Sequence, residues 1–314
     1  MVDVAAIFEM VLEVIVLIGK LLYFWLEAIV LAVLPASVRG KDISGETVLI
    51  TGAGSGIGRL LAKRFADRGC RLVLWDINKE GNEETAAQVQ RFGITVKTYT
   101  VDLSDAKQIY QTAEKVKRDM GDIDILVNNA GIVTGRKFMQ CPDEMVQKTM
   151  QVNVQAHFWT VKAFLPSMLD RNHGHIVNIA SSAGLLGVSG LADYCASKFA
   201  AVGFEESLRY ELETSGKTGV HTTVVCPYLI DTGMFDGCES RFSFLLPKLK
   251  PDDVVDSIMD ALLCNSAIVI IPKILYAFIA LKGILPIKVA FLLCDFMGVN
   301  SMMTTFKGRG KAVQ

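Results

Sequence analysis

The chain has 314 residues, of which 51% are hydrophobic and 21% charged, and its formal net charge is −1. This length suits one large α/β domain with extensions or two small domains, and either arrangement buries a sizeable core. A net charge near zero, without basic blocks, argues against nucleic acid as a partner. The 7 cysteines lie scattered without CxxC pairs, so we expect reduced thiols and no metal site.

The first strongly apolar stretch, residues 10–34, contains only three charged side chains, Glu13, Lys20 and Glu27. A helix of this length exceeds the hydrocarbon core of a bilayer, which is ~30 Å thick. Together with Glu9, the three charges fall within about 40° of one line along such a helix. The helix therefore carries one narrow polar ridge on an otherwise apolar surface.

This pattern leaves three interpretations open. The segment is an anchor that lies in the membrane interface or forms a hairpin, a true span whose ridge meets a partner, or a buried helix of a soluble protein. The first two make the chain a membrane protein. The basic residues Arg39 and Lys41 then place the following domain on the cytosolic side.

A buried strand, residues 47–50, is predicted to run into a glycine-rich turn and then into a helix over residues 59–68. Glycines let the backbone approach a pyrophosphate, and the free amides and the dipole at a helix start favour its charge. The sequence therefore predicts a dinucleotide site. The residues expected to hold the dinucleotide here are Thr51, Gly52, Ser55, Gly56, Ile57 and Gly58.

A second predicted strand, residues 71–75, ends at Asp76. An acidic residue at this strand end accepts hydrogen bonds from a ribose diol and repels a 2′-phosphate, so we expect NAD as cofactor rather than NADP. Lys79 is close enough in sequence to soften this preference. The alternative for Asp76 is an ordinary turn or cap residue.

The alternation of helices and strands continues along the chain. Helices over 83–92 and 106–120 and strands over 96–101 and 123–127 predict parallel βαβ units, which bind ligands at the carboxyl ends of their strands. Asp102 is expected to accept a hydrogen bond from the adenine amino group. Asn128 and Asn129 are expected to fix the loop and to contact the cofactor, although isolated turn residues would carry little weight.

Tyr194 and Lys198 stand four residues apart in a helix predicted over residues 191–212, which places them on one helix face. A nearby cation favours the ionised phenol and lowers its pKa, so the pair predicts a general base that works near neutral pH. Ser181 follows a predicted strand, residues 174–179, and is placed to reach into a cleft. Taken alone, the pair also fits an ordinary helix with one buried aromatic and one solvated lysine.

These motifs, in this order and at these separations, closely resemble the short-chain dehydrogenase/reductase family over roughly residues 46–272. The motifs that carry the resemblance are Thr51-Gly52, Gly56-Ile57-Gly58, Asn128-Asn129-Ala130-Gly131, Ser181, Tyr194 and Lys198. The resemblance implies one doubly wound, Rossmann-type α/β domain with a seven-stranded parallel sheet and helices on both faces.

The same resemblance implies roles for individual residues. Ser181, Tyr194 and Lys198 become catalytic, and so does Asn153, which by itself is only a polar residue on a helix predicted over 143–170. Thr232 is expected to reach the nicotinamide amide, although Pro227-Tyr228 stands where the family often has Pro-Gly.

A narrower resemblance, to the membrane-bound epidermal-type retinol dehydrogenases, covers nearly the whole chain. It is carried by the segments 74–80, 141–144, 162–166, 172–177 and 231–235. It implies hydride transfer between NAD and a long apolar alcohol such as all-trans-retinol, in a protein of the endoplasmic reticulum membrane or of lipid droplets. A homodimer built on two long helices is also implied.

In the implied mechanism, Lys198 and the positive nicotinamide ring depress the pKa of Tyr194, whose phenolate removes the alcohol proton. Ser181 holds the substrate oxygen near the phenol. Asn153 orders a water that links Lys198 to solvent, and Lys198 also holds the ribose hydroxyls. The alternatives are a 17β-hydroxysteroid or other lipid alcohol dehydrogenase or ketoreductase and, outside enzymes, a membrane or lipid-droplet scaffold.

The carboxyl-terminal part contains two further apolar regions. The loop over residues 228–250 is either a mobile lid over an apolar substrate or a loop packed on a neighbouring subunit. Residues 274–296 are broken by Lys282, Gly283, Pro286 and Lys288, so we expect amphipathic helices on the bilayer beside the cleft, followed by a basic tail, residues 307–311. We assign 1–42 to an anchor and linker, 43–272 to the catalytic domain and 273–314 to an apolar extension.

Overall fold

The computed structural model describes residues 4–308. The chain divides into two compact units, one up to Lys41 and one from Asp42 onward. Most of the predicted basic tail, including Arg309 and Lys311, lies outside the described residues.

The first unit is helical. Helix α1 spans Val4–Val33, and a short helix α2 spans Ala36–Arg39. The stretch Ala5–Leu31 has a mean hydropathy of 2.2, and its most apolar part has 0% of its residues buried. By length and composition this helix is able to cross a membrane.

The second unit is built on a parallel sheet of seven strands in the order β3-β2-β1-β4-β5-β6-β7. The predicted doubly wound sheet is therefore confirmed. The strands are β1 Thr47–Thr51, β2 Arg71–Asp76, β3 Val96–Thr100, β4 Ile125–Asn128, β5 Gly174–Ile179, β6 Val220–Pro227 and β7 Ile268–Ile271.

Helices connect the strands and extend the chain beyond them. They are α3 Gly56–Asp67, α4 Lys79–Gln90, α5 Ala106–Met120, α6 Asp143–Met150, α7 Ala156–Arg171, α8 Ala192–Thr214, α9 Pro251–Leu263, α10 Leu275–Ile284 and α11 Ile287–Phe296.

The core lies on both faces of the sheet, which explains why its central strands are continuous apolar runs. One cluster joins the sheet to α3 and α9 and includes Phe65 and Ile258. The other joins it to α5 and α7 and includes Ile109 and Phe164. The chain order reverses between β1 and β4, so the carboxyl ends of these strands border the crevice in which such folds bind ligands.

Two observed helices differ from the predicted ones. The helix expected over 83–92 already begins at Lys79, because the Asn78 side chain caps it by accepting a hydrogen bond from the Gly81 amide. The single helix expected over 143–170 is interrupted by a π-helical turn, Gln151–Gln155, which contains Asn153. Such turns are frequent at functional sites.

The apolar regions near the carboxyl end are packed only in part. In the loop over 228–250, Leu246 is buried whereas Phe244 is exposed. The last apolar stretch is broken at Pro286 as predicted, since α10 ends before Leu285 and α11 begins after Pro286, whereas Lys282 and Gly283 lie within α10.

Candidate active site

The glycine-rich turn joins β1 to α3. Gly52 and Gly56 have positive φ angles of 66° and 53°, a backbone region that favours glycine. A Cβ at Gly58 would lie 2.1 Å from the Gly52 carbonyl oxygen, so glycine is required where the helix start packs on the turn. Ser55 is the N-cap residue and Ile57 the second helical residue, so their amides belong to the first turn, which suits a pyrophosphate.

Side chains from the neighbouring strand hold this turn in place. The Thr51 hydroxyl accepts hydrogen bonds from the amides of Asn129 (2.9 Å) and Ala130 (3.1 Å). The Asn129 side chain donates to the Thr51 carbonyl oxygen at 2.9 Å. The buried Asn128 side chain instead bridges Asn178 and Thr160, within the sheet and α7. Both asparagines thus shape the crevice, and their contact with a cofactor stays a prediction.

Asp76 lies at the end of β2, beside the glycine-rich turn. One of its carboxylate oxygens accepts a hydrogen bond from the Gly54 amide and the other from the Asn78 amide, each at 2.8 Å. Lys79, which we expected to soften the cofactor preference, lies 3.8 Å from the Glu83 carboxylate. Two backbone amides therefore fix the Asp76 carboxylate beside the glycine-rich turn, and its expected contact with a ribose stays a prediction.

Asp102 and Thr232 follow β3 and β6 at the same edge of the sheet. The Asp102 carboxylate accepts hydrogen bonds from the amide (2.9 Å) and the hydroxyl (2.6 Å) of Ser104, which fix its orientation. The Thr232 amide donates to the Ile230 carbonyl oxygen at 2.9 Å. Their expected contacts with adenine and nicotinamide stay predictions.

Ser181, Tyr194 and Lys198 come together at the ends of β5 and β6. The Lys198 ammonium lies 5.7 Å from the centre of the Tyr194 ring and donates a hydrogen bond to the Ile179 carbonyl oxygen at 2.8 Å. The Ser181 hydroxyl accepts a hydrogen bond from the Ala183 amide at 3.1 Å and lies near enough to the Tyr194 side chain to lower the pKa of the phenol. Tyr194 is 4% exposed and Lys198 3%, so both lie almost out of contact with water. This arrangement places a phenol, a hydroxyl and a cation where one substrate oxygen can meet the first two.

A comparison with protein families decides the assignment. Residues 46–241 match the sequence profile of the family described as short chain dehydrogenase. The chain belongs to this family.

Two similar relatives cover nearly the whole of this short-chain dehydrogenase. Epidermal retinol dehydrogenase 2 of Homo sapiens is 51% identical over 297 residues, which are 94% of this chain and 96% of the relative. Retinol dehydrogenase 10-B of Xenopus laevis is 45% identical over 313 residues, with 90% of this chain and 92% of the relative covered.

Solved structures of other short-chain dehydrogenases share the fold. One from Burkholderia phymatum, in complex with NAD, superposes with a TM-score of 0.70 at 27% identity and covers 77% of this chain and 94% of its own. Another from Sphingobium yanoikuyae, in complex with NADPH, has a TM-score of 0.67 at 29% identity and covers 80% and 96%.

The electrostatics of this short-chain dehydrogenase correct one prediction. We expected Lys198 to help depress the pKa of Tyr194, but burial raises the pKa of the phenol to about 12, and only the hydrogen bond from Ser181 acts against it. Burial also lowers the pKa of Lys198 to about 8. Desolvation penalises the charged form of both groups, so residues of this chain alone do not make the phenol more acidic.

Asn153 ties the loop after β4 to α8. Its amide oxygen accepts a hydrogen bond from the Ile132 amide (2.8 Å), and its nitrogen donates to the Ile132 carbonyl oxygen (2.9 Å) and the Ser197 hydroxyl (3.0 Å). A Cβ added at Gly131 would lie 3.4 Å from this amide oxygen and 3.6 Å from the Lys198 nitrogen. Gly131 therefore lies close to both side chains, and the expected role of Asn153 in ordering a water stays a prediction.

Two residues near the site escaped the sequence analysis. His157 is buried, and neither ring nitrogen has a hydrogen-bond partner among the described residues. Burial and the nearby charge of Lys198 lower its pKa to about 3, so it is neutral. Asp193, in the first turn of α8, is buried and accepts hydrogen bonds from the hydroxyls of Thr134 (2.8 Å) and Thr149 (3.3 Å). In the sequence, only the position of Asp193 directly before Tyr194 indicated that it lies near the site.

Proposed function

We propose that this short-chain dehydrogenase oxidises a long apolar alcohol, all-trans-retinol, to all-trans-retinal with NAD as the hydride acceptor. The observation that carries the proposal is the apolar cluster packed around Tyr194, which includes Leu191, Leu229 and Phe235. A phenol in such surroundings suits an alcohol with an apolar carbon chain. Relatives named retinol dehydrogenases, at 51% and 45% identity over most of the chain, support this substrate.

The site residues suggest a division of labour. Ser181 and Tyr194 hold the alcohol oxygen between their hydroxyls, and the Tyr194 phenolate takes its proton. The Lys198 ammonium lies over the face of the phenol ring and donates a hydrogen bond to the Ile179 carbonyl oxygen. Asn153 holds the loop after β4 against α8 through its hydrogen bonds to Ile132 and Ser197. When bound, NAD would supply the hydride acceptor and a positively charged ring that favours the phenolate.

The glycine-rich turn and Asp76 support NAD over NADP. A 2′-phosphate next to the Asp76 carboxylate would meet a like charge that two backbone amides hold in place. We expect Asp76→Ser to lower the ratio of kcat/KM with NAD to kcat/KM with NADP by about tenfold to a hundredfold, since it removes the repulsion and the ribose hydrogen bonds. Steady-state kinetics with both cofactors measures the ratio.

The matched control for this prediction is Asp67→Ser, at the exposed end of α3. It should leave the cofactor ratio as in the wild type. An unchanged ratio in Asp76→Ser, with full activity retained, would show that Asp76 is the ordinary turn residue of the alternative interpretation.

We further propose that the protein resides in the endoplasmic reticulum membrane, or on lipid droplets, with the catalytic domain in the cytosol. The apolar α1 and the carboxyl-terminal helices support this, because Ile284 is 79% and Ile287 is 88% exposed. Alkaline extraction of microsomes should leave the protein in the membrane pellet, and protease added outside should degrade the domain. Release into the supernatant would contradict the anchor.

A homodimer built on α7 and α8 is part of the same proposal. Phe158, Trp159 and Phe204 form a cluster of edge-to-face rings on these helices and are only half-buried. Aromatic side chains of this kind are enriched at protein interfaces. Light scattering of the detergent-solubilised protein should give twice the chain mass, and a monomer mass would contradict the proposal.

The substrate assignment is tested by a panel of retinoids and steroids with NAD. Microsomes that contain the protein should convert retinol to retinal, with a higher kcat/KM for retinol than for 17β-hydroxysteroids. Oxidation of steroids alone would show that the protein is a hydroxysteroid dehydrogenase.

A further inference from the structure

The last described residues return to the active site. The segment over residues 302–306, here termed the terminal segment, follows α11 and includes a 3₁₀ turn, Met302–Thr305. Met302 and Met303 are buried in the same apolar cluster as Tyr194. Phe306 lies against Phe235, with ring centres 6.3 Å apart, and Phe235 in turn lies edge-on to the Tyr194 ring at 5.7 Å.

Three loops around the site are shaped to receive this segment, each at a glycine with positive φ. A Cβ at Gly135, after β4, would lie 2.1 Å from the Phe306 ring. A Cβ at Gly190, between Ser181 and α8, would lie 3.0 Å from the Met303 Cβ. A third, at Gly237 in the loop after β6, would lie 2.1 Å from a carbonyl oxygen of the segment. Larger residues at these positions would push the terminal segment out of the site.

Polar contacts fix the terminal segment at both ends. The Tyr228 hydroxyl lies 3.4 Å from the Met302 sulfur, and the Cys238 thiol 3.5 Å from the Met303 sulfur. The Thr305 hydroxyl donates to the Gly237 carbonyl oxygen at 2.5 Å, and the Lys307 amide donates to the Asp236 carbonyl oxygen at 2.8 Å. The segment is therefore an integral part of the loop region that faces the catalytic phenol.

This packing has a consequence for the substrate. Tyr194 is nearly inaccessible in the structure, so an alcohol that brings its oxygen to the phenol must displace part of the surrounding cluster. Methionine side chains are unbranched and adaptable, so they can move aside for a slender chain. The Phe306 ring, held against Gly135, is the more rigid boundary.

We propose that Met303 and Phe306 are specificity-determining residues, which form the wall of the substrate site and favour a slender polyene alcohol over a wide, rigid steroid. The inference rests on the proposed function and deepens it. It assigns substrate selection to residues outside the segment that matches the family profile, residues 46–241.

The test compares two substrates in full-length protein in microsomes. The ratio of kcat/KM for a 17β-hydroxysteroid to kcat/KM for retinol, both with NAD, is measured for the wild type, Met303→Ala and Phe306→Leu. Both variants widen the site, so the ratio should rise by roughly tenfold or more. A ratio is informative because a general loss of folded protein lowers both rates equally.

Met139→Ala is the matched control, because this methionine is 92% exposed on a separate turn, and its ratio should equal that of the wild type. Steroid-to-retinol ratios of kcat/KM within about twofold of the wild type in both Met303→Ala and Phe306→Leu would overturn the inference. If the wild type oxidised neither substrate, the proposed function would fall as well, whereas retinol oxidation with unchanged ratios would contradict this inference alone.

Discussion

Replacing Tyr194 with phenylalanine is expected to lower kcat for retinol oxidation by about 10²- to 10⁴-fold, because it removes the general base and leaves the ring in place. The ring packs between Lys198 and Phe235, so the fold and the binding of reduced cofactor should be preserved. Single-turnover formation of NADH measures the chemical step, and cofactor fluorescence measures binding.

Tyr210→Phe is the matched control, since Tyr210 lies on the same helix and is 60% exposed. It should retain full activity. If cells that express Tyr194→Phe behaved like cells that express the wild type although the variant had no turnover, the result would support the alternative of a membrane or lipid-droplet scaffold. If the variant kept turnover, another group would have to be the base.

Replacing Lys198 with methionine is expected to abolish most activity while stabilising the cofactor-free protein. The ammonium is almost fully buried and, within residues 4–308, is not paired with a carboxylate. Burial lowers its pKa from 10.5 to about 8. The penalty for holding the charge in the fold is therefore on the order of 3 kcal/mol, and methionine avoids it. Chemical denaturation with an activity assay measures both effects.

The pH dependence of this stabilisation has a definite sign. The folded-state pKa of Lys198 lies below the unfolded value, so the unfolded chain holds more protons between pH 8 and 10.5. The free energy of unfolding of the wild type should therefore increase with pH through this window, and the extra stability of Lys198→Met should shrink. Below pH 8 the difference in free energy of unfolding between Lys198→Met and the wild type should be constant. The exposed Lys115→Met is the control, and an equal stabilisation there would contradict the explanation.

Much of the fold and the place of the main site residues followed from local patterns. Apolar runs separated by helical stretches predicted the parallel sheet, and they placed Asp76 and Ser181 at strand ends, where the structure has them. The spacing of Tyr194 and Lys198 predicted a shared helix face, and the Lys198 nitrogen does lie over the Tyr194 ring. These features depend on short-range periodicity, which a single sequence carries.

Features that depend on contacts between distant segments did not follow. The π-helical turn at Asn153 was not predicted, and the hydrogen bonds of that side chain to Ile132 join segments 21 residues apart. The raised pKa of Tyr194 comes from burial by several loops. The approach of Met303 to the site depends on a return of the chain past two helices, which a periodic pattern does not encode.

The central claim is that Tyr194 removes the hydroxyl proton of an apolar alcohol while a hydride passes from the carbinol carbon directly to a nicotinamide dinucleotide. The most direct measurement uses retinol in which both hydrogens of the carbinol carbon are deuterium, with NAD and membranes that contain the protein, followed by mass spectrometry of both products. We predict one deuterium in the reduced cofactor for each retinal formed. Retinal formed without deuterium in the cofactor, or no retinal at all, would contradict the claim.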